Sequence, residues 1–224
     1  MFRLSTWAYY RFRKVDLTLE NANEGVMYTG KTGHFSMLLV IWCAKSLAHS
    51  VKNEMQEAKK ALSEAEKLIA DRKIMTVYHV PYVMAMTQIE LAELRSCIAL
   101  HKPTREKFRA ALGAINDLIR LSKKMRSEYV EAYRLKALVY RMMKKHHNAF
   151  RYLTLSIEAG QKYNAVLELS RSYFEAGKCL RESGTTRSSL LGLSSSEYLL
   201  KARTLFEELD LQWDMQEYER YMEG

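Results

Sequence analysis

The stretch VEAYRLKALVYRMMKKHHNAFRYLTLSIEA, residues 130–159, contains two short helical patterns separated by a basic turn. On each pattern, a large residue is followed by a small one at an interval of three or four, which places both on one helical face. The packing positions are Tyr133, Ala137, Tyr140, Ala149 and Leu153. The stretch therefore predicts a pair of antiparallel helices whose tyrosines and alanines serve structure.

The whole composition favours helix. The chain has 224 residues but only two prolines and nine glycines, and no window alternates apolar and polar residues as a strand would. Three cysteines lie far apart in apolar helical stretches, which is typical of a reduced, cytoplasmic compartment. The longest apolar run, residues 35–44, is too short to span a bilayer. We therefore expect an all-α protein of the cytoplasm that makes no membrane contact.

Turn signals divide the chain into five predicted helical hairpins and a C-terminal capping helix. Together they predict one domain covering residues 1–224, in which the Ser/Thr/Gly-rich segment 185–196 is the only long loop. Gly160 is interpreted as the C-cap of the fourth hairpin. The predicted hairpins span residues 4–30, 34–72, 81–125, 128–161 and 164–210, and the cap spans 213–222.

This arrangement resembles the tetratricopeptide repeat, in which helical hairpins of about 34 residues stack into a right-handed α–α superhelix. The C-terminal part is similar to the irregular repeats that close large bacterial signal-transduction ATPases, nucleotide cyclases and maltose-regulator-type transcription activators. The positions that carry this second resemblance are Ala202, Leu205, Phe206, Leu209 and Trp213. It implies packing roles for Ala202 and Phe206, and a regulatory, non-catalytic segment of a larger protein.

The resemblance also indicates where a partner would bind. In the hairpin at 128–161, the inner-face positions are Glu131, Arg134, Leu138, Arg141 and Met142. The asparagine of the family's carboxylate clamp is absent, so recognition of the usual acidic C-terminal peptide is not expected. The two arginines nevertheless suit acidic or phosphorylated partners. The first hypothesis is therefore a scaffold that binds a protein or peptide in its concave groove.

Charge supports a second hypothesis. Residues 102–151 hold 14 Lys/Arg against four acids, whereas the rest of the chain is nearly neutral. Basic residues there interleave with Tyr129, Tyr133 and Tyr140, a combination that can bind nucleic acid or an acidic surface. Because two of these tyrosines are also packing positions, nucleic acid is the secondary interpretation.

A third hypothesis rests on residues 25–32, GVMYTGKT, which match the phosphate-binding expression G-x4-G-K-T. We interpret the match as coincidental, because the preceding residues have the rhythm of a helix rather than of a buried strand. His146 and His147 are interpreted as a solvated turn, and no zinc-binding or catalytic spacing occurs in the sequence. No catalytic residue, metal site or cofactor is predicted, and oligomeric state is left open.

Overall fold

The computed structural model describes residues 2–184 and 187–224, with side chains from residue 5 onward. Eleven α-helices and one two-stranded hairpin lie in this described part, which confirms the all-α prediction. The helices are α1 Phe2–Arg11, α2 Val15–Thr32, α3 Phe35–Val51, α4 Met55–Asp71, α5 His79–Ala99, α6 Arg105–Ser122, α7 Arg126–Met142, α8 His146–Tyr163, α9 Val166–Glu182, α10 Ser195–Glu208 and α11 Gln212–Glu223. The chain divides into two compact units, Met1–Leu121 and Ser122–Gly224.

The N-terminal unit is built around α3, which packs against α1, α2, α4 and α5. Because α3 has neighbours on several sides, it is apolar almost all round, and Leu39, Ile41 and Leu47 are fully buried. Helix α4 instead turns a stripe of alanines towards its neighbours. The hydroxyl of Ser46 donates a hydrogen bond to the carbonyl of Ala58 at 2.8 Å, so the two helices approach closely.

The C-terminal unit contains two strongly packed hairpins, α7–α8 and α9–α10, with α9 also contacting α7 and α8. The predicted packing positions Ala137, Ala149, Leu153, Ala202 and Phe206 all lie in its apolar core. Tyr133 and Tyr140 are only half-buried. Helix α11 packs on α10, as expected for a terminal helix.

Two glycines set helix spacing in this unit. A Cβ atom at Gly177 of α9 would lie 2.6 Å from Cγ of Leu199 on α10. The prediction that Gly160 ends a helix is wrong, because Gly160 is buried inside α8, where a Cβ would lie 3.0 Å from Leu169. Asn164, with φ of 50°, terminates α8 instead. Close helix contact, rather than chain reversal, is the reason for the glycine at 160.

The segment predicted as a long loop also differs from expectation. Strands β1 Ser189–Leu190 and β2 Leu193–Ser194 pair antiparallel within it, and α10 begins at Ser195. Leu191 and Gly192 both have positive φ, which suits the tight turn of a two-residue hairpin. The hydroxyl of Tyr198 donates to the carbonyl of Leu190 at 2.9 Å and holds the hairpin to α10. Two residues of the predicted loop, 185 and 186, lie outside the described residues.

Six helix–helix turns share one geometry. In each, a non-glycine residue has φ between 50° and 62°, in the left-handed region. In all six, both this residue and the next donate backbone hydrogen bonds to carbonyls of the last helical turn, as Lys144 and Lys145 do to Arg141 and Tyr140. The left-handed residues are Arg13, Asn53, His101, Lys144, Asn164 and Asp210. The same turn therefore recurs in both units of the chain.

Candidate partner-binding face

The predicted partner-binding residues all lie on α7, at helical intervals that bring them to one side. Glu131, Arg134 and Leu138 are only 4%, 5% and 6% exposed. Arg141 and Met142, at the C-terminal end of the helix, are partly exposed. Accessible surface on this side of α7 is therefore concentrated at its C-terminal end.

Arg134 is held between carboxylates of two helices. Its Nη2 atom lies 3.3 Å from Oε1 of Glu131, three residues earlier on α7, and 3.6 Å from Oε2 of Glu168 on α9. The side chains of all three residues are almost completely buried. The guanidinium therefore joins the two helices rather than pointing into solvent.

Arg171 on α9 repeats this arrangement one hairpin later. Its Nη1 atom lies 3.4 Å from Glu168, again three residues earlier on the same helix. Its Nε and Nη2 atoms donate to the two carboxylate oxygens of Asp214 on α11, at 3.0 and 2.8 Å. Such two-pronged contacts are the geometry in which arginine binds carboxylate best. Each arginine thus pairs with a carboxylate on its own helix and with a carboxylate two helices further along the chain. Arg134 joins α7 to α9, and Arg171 joins α9 to α11.

We call these five residues the ionic ladder: Glu131, Arg134, Glu168, Arg171 and Asp214. The same Glu-x-x-Arg sequence occurs on α7 and α9, displaced by 37 residues. Burial alone would lower the pKa of Arg171, but the charges of Asp214 and Glu168 outweigh it and raise the pKa. Arg171 therefore stays charged. Buried charges of this kind are costly to separate, since a carboxylate left behind has no water to solvate it.

A second group of charges lies at the C-terminal ends of α7 and α9. Nη2 of Arg141 is 3.1 Å from Glu175, and Nη1 pairs with Glu182. The Nζ atom of Lys178 lies 2.7 Å from the other oxygen of Glu175. Burial by itself would raise the pKa of Glu175, but Lys178 and Arg141 lower it well below its ordinary value. Only the outer members of this group, above all Glu182, reach solvent.

Sequence reasoning selected one helix of this face and missed its neighbours. The residues that it missed are Glu168, Arg171, Glu175, Lys178 and Asp214. The recurrence of Glu-x-x-Arg 37 residues apart was a signal that could have found two of them. Asp214 carried no such signal, because its role depends on α11 lying beside α9.

Neither the phosphate-binding motif at residues 25–32 nor the contact between His146 and Cys179 has the geometry of a catalytic or nucleotide-binding site. Residues 25–32 lie within α2, where the hydroxyl of Thr29 donates to the carbonyl of Gly25 at 2.6 Å, so they form no loop that could wrap a phosphate. Sγ of Cys179 lies 4.0 Å from Nδ1 of His146. Burial raises the pKa of Cys179 to about 12, so the thiol is not a nucleophile at neutral pH.

The described residues include no candidate metal cluster and no candidate membrane span. No group of three or more His, Cys, Asp or Glu side chains there could hold an ion. No described helix is long and apolar enough to cross a membrane. Comparison with protein-family models, curated proteins and solved structures gives no match for this chain.

Proposed function

We propose that this chain is a tetratricopeptide-like α-solenoid that binds a protein or peptide partner without catalysis. The observation that carries the proposal is the ionic ladder. In it, equivalent arginines on α7 and α9 join α7 to α9 and α9 to α11. A repeated contact between equivalent helices is what a stack of similar hairpins requires. The right-handed superhelix and its concave groove are part of this proposal.

The proposed contact surface lies at the solvent-accessible C-terminal ends of α7 and α9. Arg141 and Glu182 form its rim, whereas Arg134 is buried in the ladder. Positive and negative charges are paired at the rim. An acidic partner would therefore be bound less tightly there than by two unpaired arginines. We therefore propose a partner segment with charges of both signs. The resemblance to C-terminal repeats of bacterial signalling proteins supports a regulatory role.

The test compares three baits: the native chain and two variants that each lack one ion pair of the same unit. Arg141→Gln/Glu182→Gln removes the rim pair, and Arg203→Gln/Glu207→Gln removes a more exposed pair on α10. Arg134 is left intact, because its loss would destabilise the fold. We expect the native chain and the α10 variant to capture the same proteins from the source cells. The rim variant should fail to capture them.

Urea denaturation of each bait checks that the variants are folded before capture. If all three baits recover the same proteins, the rim is not the binding surface. If the native chain captures nothing above a bait-free control, the scaffold proposal itself fails.

A further inference from the structure

A second surface of the C-terminal unit combines tyrosines with basic side chains. On α7, Arg126, Tyr129, Tyr133, Lys136 and Tyr140 follow one another at intervals of three or four, so they share one side of the helix. On α8, Tyr152 and Tyr163 are eleven residues apart, which is three helical turns. We call this surface the tyrosine face: Arg126, Tyr129, Tyr133, Lys136, Tyr140, Arg151, Tyr152, Lys162 and Tyr163.

Ring contacts join the two helices across this face. The rings of Tyr140 and Tyr152 are stacked, with centroids 5.6 Å apart and planes within 4° of parallel. Tyr133 and Tyr152 stack at 6.4 Å, and Tyr133 meets Tyr129 edge-on at 4.8 Å. All five tyrosines are partly exposed. Tyr129, Tyr133, Tyr140 and Tyr152 therefore form one connected aromatic layer that solvent reaches, and Tyr163 lies three turns further along α8.

Cations lie over these rings. Nζ of Lys136 is 4.4 Å from the ring centre of Tyr152, and the guanidinium of Arg151 is 5.8 Å from it. Arg126 and Lys162 lie 5.6 and 5.7 Å from the ring of Tyr163. Arg126, Arg151 and Lys162 are exposed, and none of them forms an ion pair in the part of the chain that the structure describes. Their charges are therefore available to a ligand.

Positive charge within the C-terminal unit is concentrated in α7 and α8. Residues 122–165, which hold α7 and α8, carry ten basic and three acidic residues, a net charge of +7. Residues 166–224 carry seven basic and eleven acidic residues, a net charge of −4. Because Arg134 and Arg141 are compensated by carboxylates, the positive excess of α7–α8 resides in its other side chains. The electrostatic field thus attracts a polyanion to this hairpin.

We propose that the tyrosine face binds single-stranded nucleic acid. The exposed cations contact phosphates, and bases stack on the guanidinium planes of Arg126 and Arg151, whose central carbons lie 5.6 and 5.8 Å from the ring centres of Tyr163 and Tyr152. An acidic peptide would satisfy the charges but leave the planar groups unused, and a duplex would keep its bases stacked inside. The proposal is independent of the scaffold function, because this face and the ionic ladder lie on different sides of α7.

The test measures fluorescence anisotropy of the full chain with three labelled probes. They are an oligouridylate of about twelve nucleotides, an abasic oligonucleotide of the same length, and a poly-glutamate peptide of matched charge. We expect the oligouridylate to bind about tenfold more tightly than either base-free probe. With the three exposed cations Arg126, Arg151 and Lys162 involved, log K should fall with log salt with a slope of about −2.

Two double variants separate stacking from charge. Arg126→Lys/Arg151→Lys keeps both charges but removes the planar groups, so oligouridylate affinity should fall about threefold to tenfold while poly-glutamate binding is unchanged. Arg126→Gln/Arg151→Gln should weaken all three probes. The matched control, Lys201→Gln/Arg203→Gln on exposed positions of α10, should change each affinity by less than about twofold.

Each alternative outcome overturns a defined part of the proposal. Equal binding of the oligouridylate and the abasic probe would exclude base stacking. Preference for poly-glutamate would assign the face to an acidic protein instead. Equal losses in the α10 control would show that binding follows net charge rather than this face, and the absence of oligouridylate binding would reject the proposal altogether. Circular dichroism of each variant shows that it is folded.

Discussion

Helix α7 presents two kinds of charged surface, and they follow opposite physical rules. On one side, Arg134 is buried and shared between Glu131 and Glu168. On the other side, Arg126 is exposed and lies over the ring of Tyr163. The first arrangement stabilises a particular spacing of helices, because separating its charges is costly. The second leaves charge available to a ligand at little cost to the fold. Basic residues on one helix therefore cannot be assigned a role from their charge alone.

The largest expected effect comes from breaking the ladder. Replacing Arg171→Met leaves Asp214 and Glu168 buried without their shared cation, and we expect a loss of about 3–5 kcal/mol in unfolding free energy. Urea denaturation measures it. The matched variant Arg203→Met removes an exposed pair with Glu207 on α10 and should cost at most about 0.5 kcal/mol. Similar small losses in both variants would show that the ladder does not stabilise the fold.

The next effect tests whether close packing, as well as charge, positions α9. Gly177→Ala places a methyl group 2.6 Å from Cγ of Leu199, so the Leu199 side chain or the two helices must shift, at a cost of about 1–3 kcal/mol. Gly113→Ala in α6 is the control, because nothing lies within 4 Å of its new methyl group. Alanine there should stabilise the helix by about 0.5–1 kcal/mol. Thermal or urea unfolding should therefore shift in opposite directions for the two variants.

Acid should remove the stability that the buried charge of Glu175 contributes to the fold. The pKa of Glu175 is lower in the folded chain than its ordinary value of 4.5. Its contribution to stability is therefore present above the unfolded-state pKa and is lost as pH falls through the folded-state pKa. We expect unfolding free energy to decrease as pH falls below about 4.5, and Glu175→Gln to reduce that decrease by about 1–3 kcal/mol.

The comparison for the acid experiment is Glu208→Gln, at an exposed position of α10. Urea denaturation of both variants is measured at neutral pH and at several acidic values. If Glu208→Gln flattens the pH dependence as much as Glu175→Gln does, the acid sensitivity arises from general surface charge rather than from Glu175.

The smallest effect concerns the tyrosine face. Lys136→Ala removes the ammonium group that lies 4.4 Å from the ring centre of Tyr152. Because this contact is near solvent, we expect a loss of only about 0.5–1 kcal/mol. Lys144→Ala, at the exposed turn that follows α7, should be close to neutral. A loss as large as that of Arg171→Met would mean that the tyrosine face is a structural surface like the ladder.

Much of the fold could be predicted because it depends on local pattern. Composition and helical periodicity predicted an all-α chain, which the eleven described helices confirm, and Ala137, Ala149 and Phe206 lie in the core. Gly160 was assigned wrongly because a glycine that ends a helix and one that lets two helices touch look alike in sequence. The hairpin at 189–194 was missed because two-residue strands leave no measurable alternation. The partner and the superhelical stacking stay predictions.

The all-helical character and the concentration of positive charge in one region follow from the amino-acid sequence alone. Each of these depends on residue type and on spacing along a single helix. Only the tertiary structure decided which charges are compensated, because Glu168 and Asp214 reach Arg134 and Arg171 from separate helices. Spacing within α7 could not reveal this, since the energy of a buried arginine depends on the neighbours that replace its water.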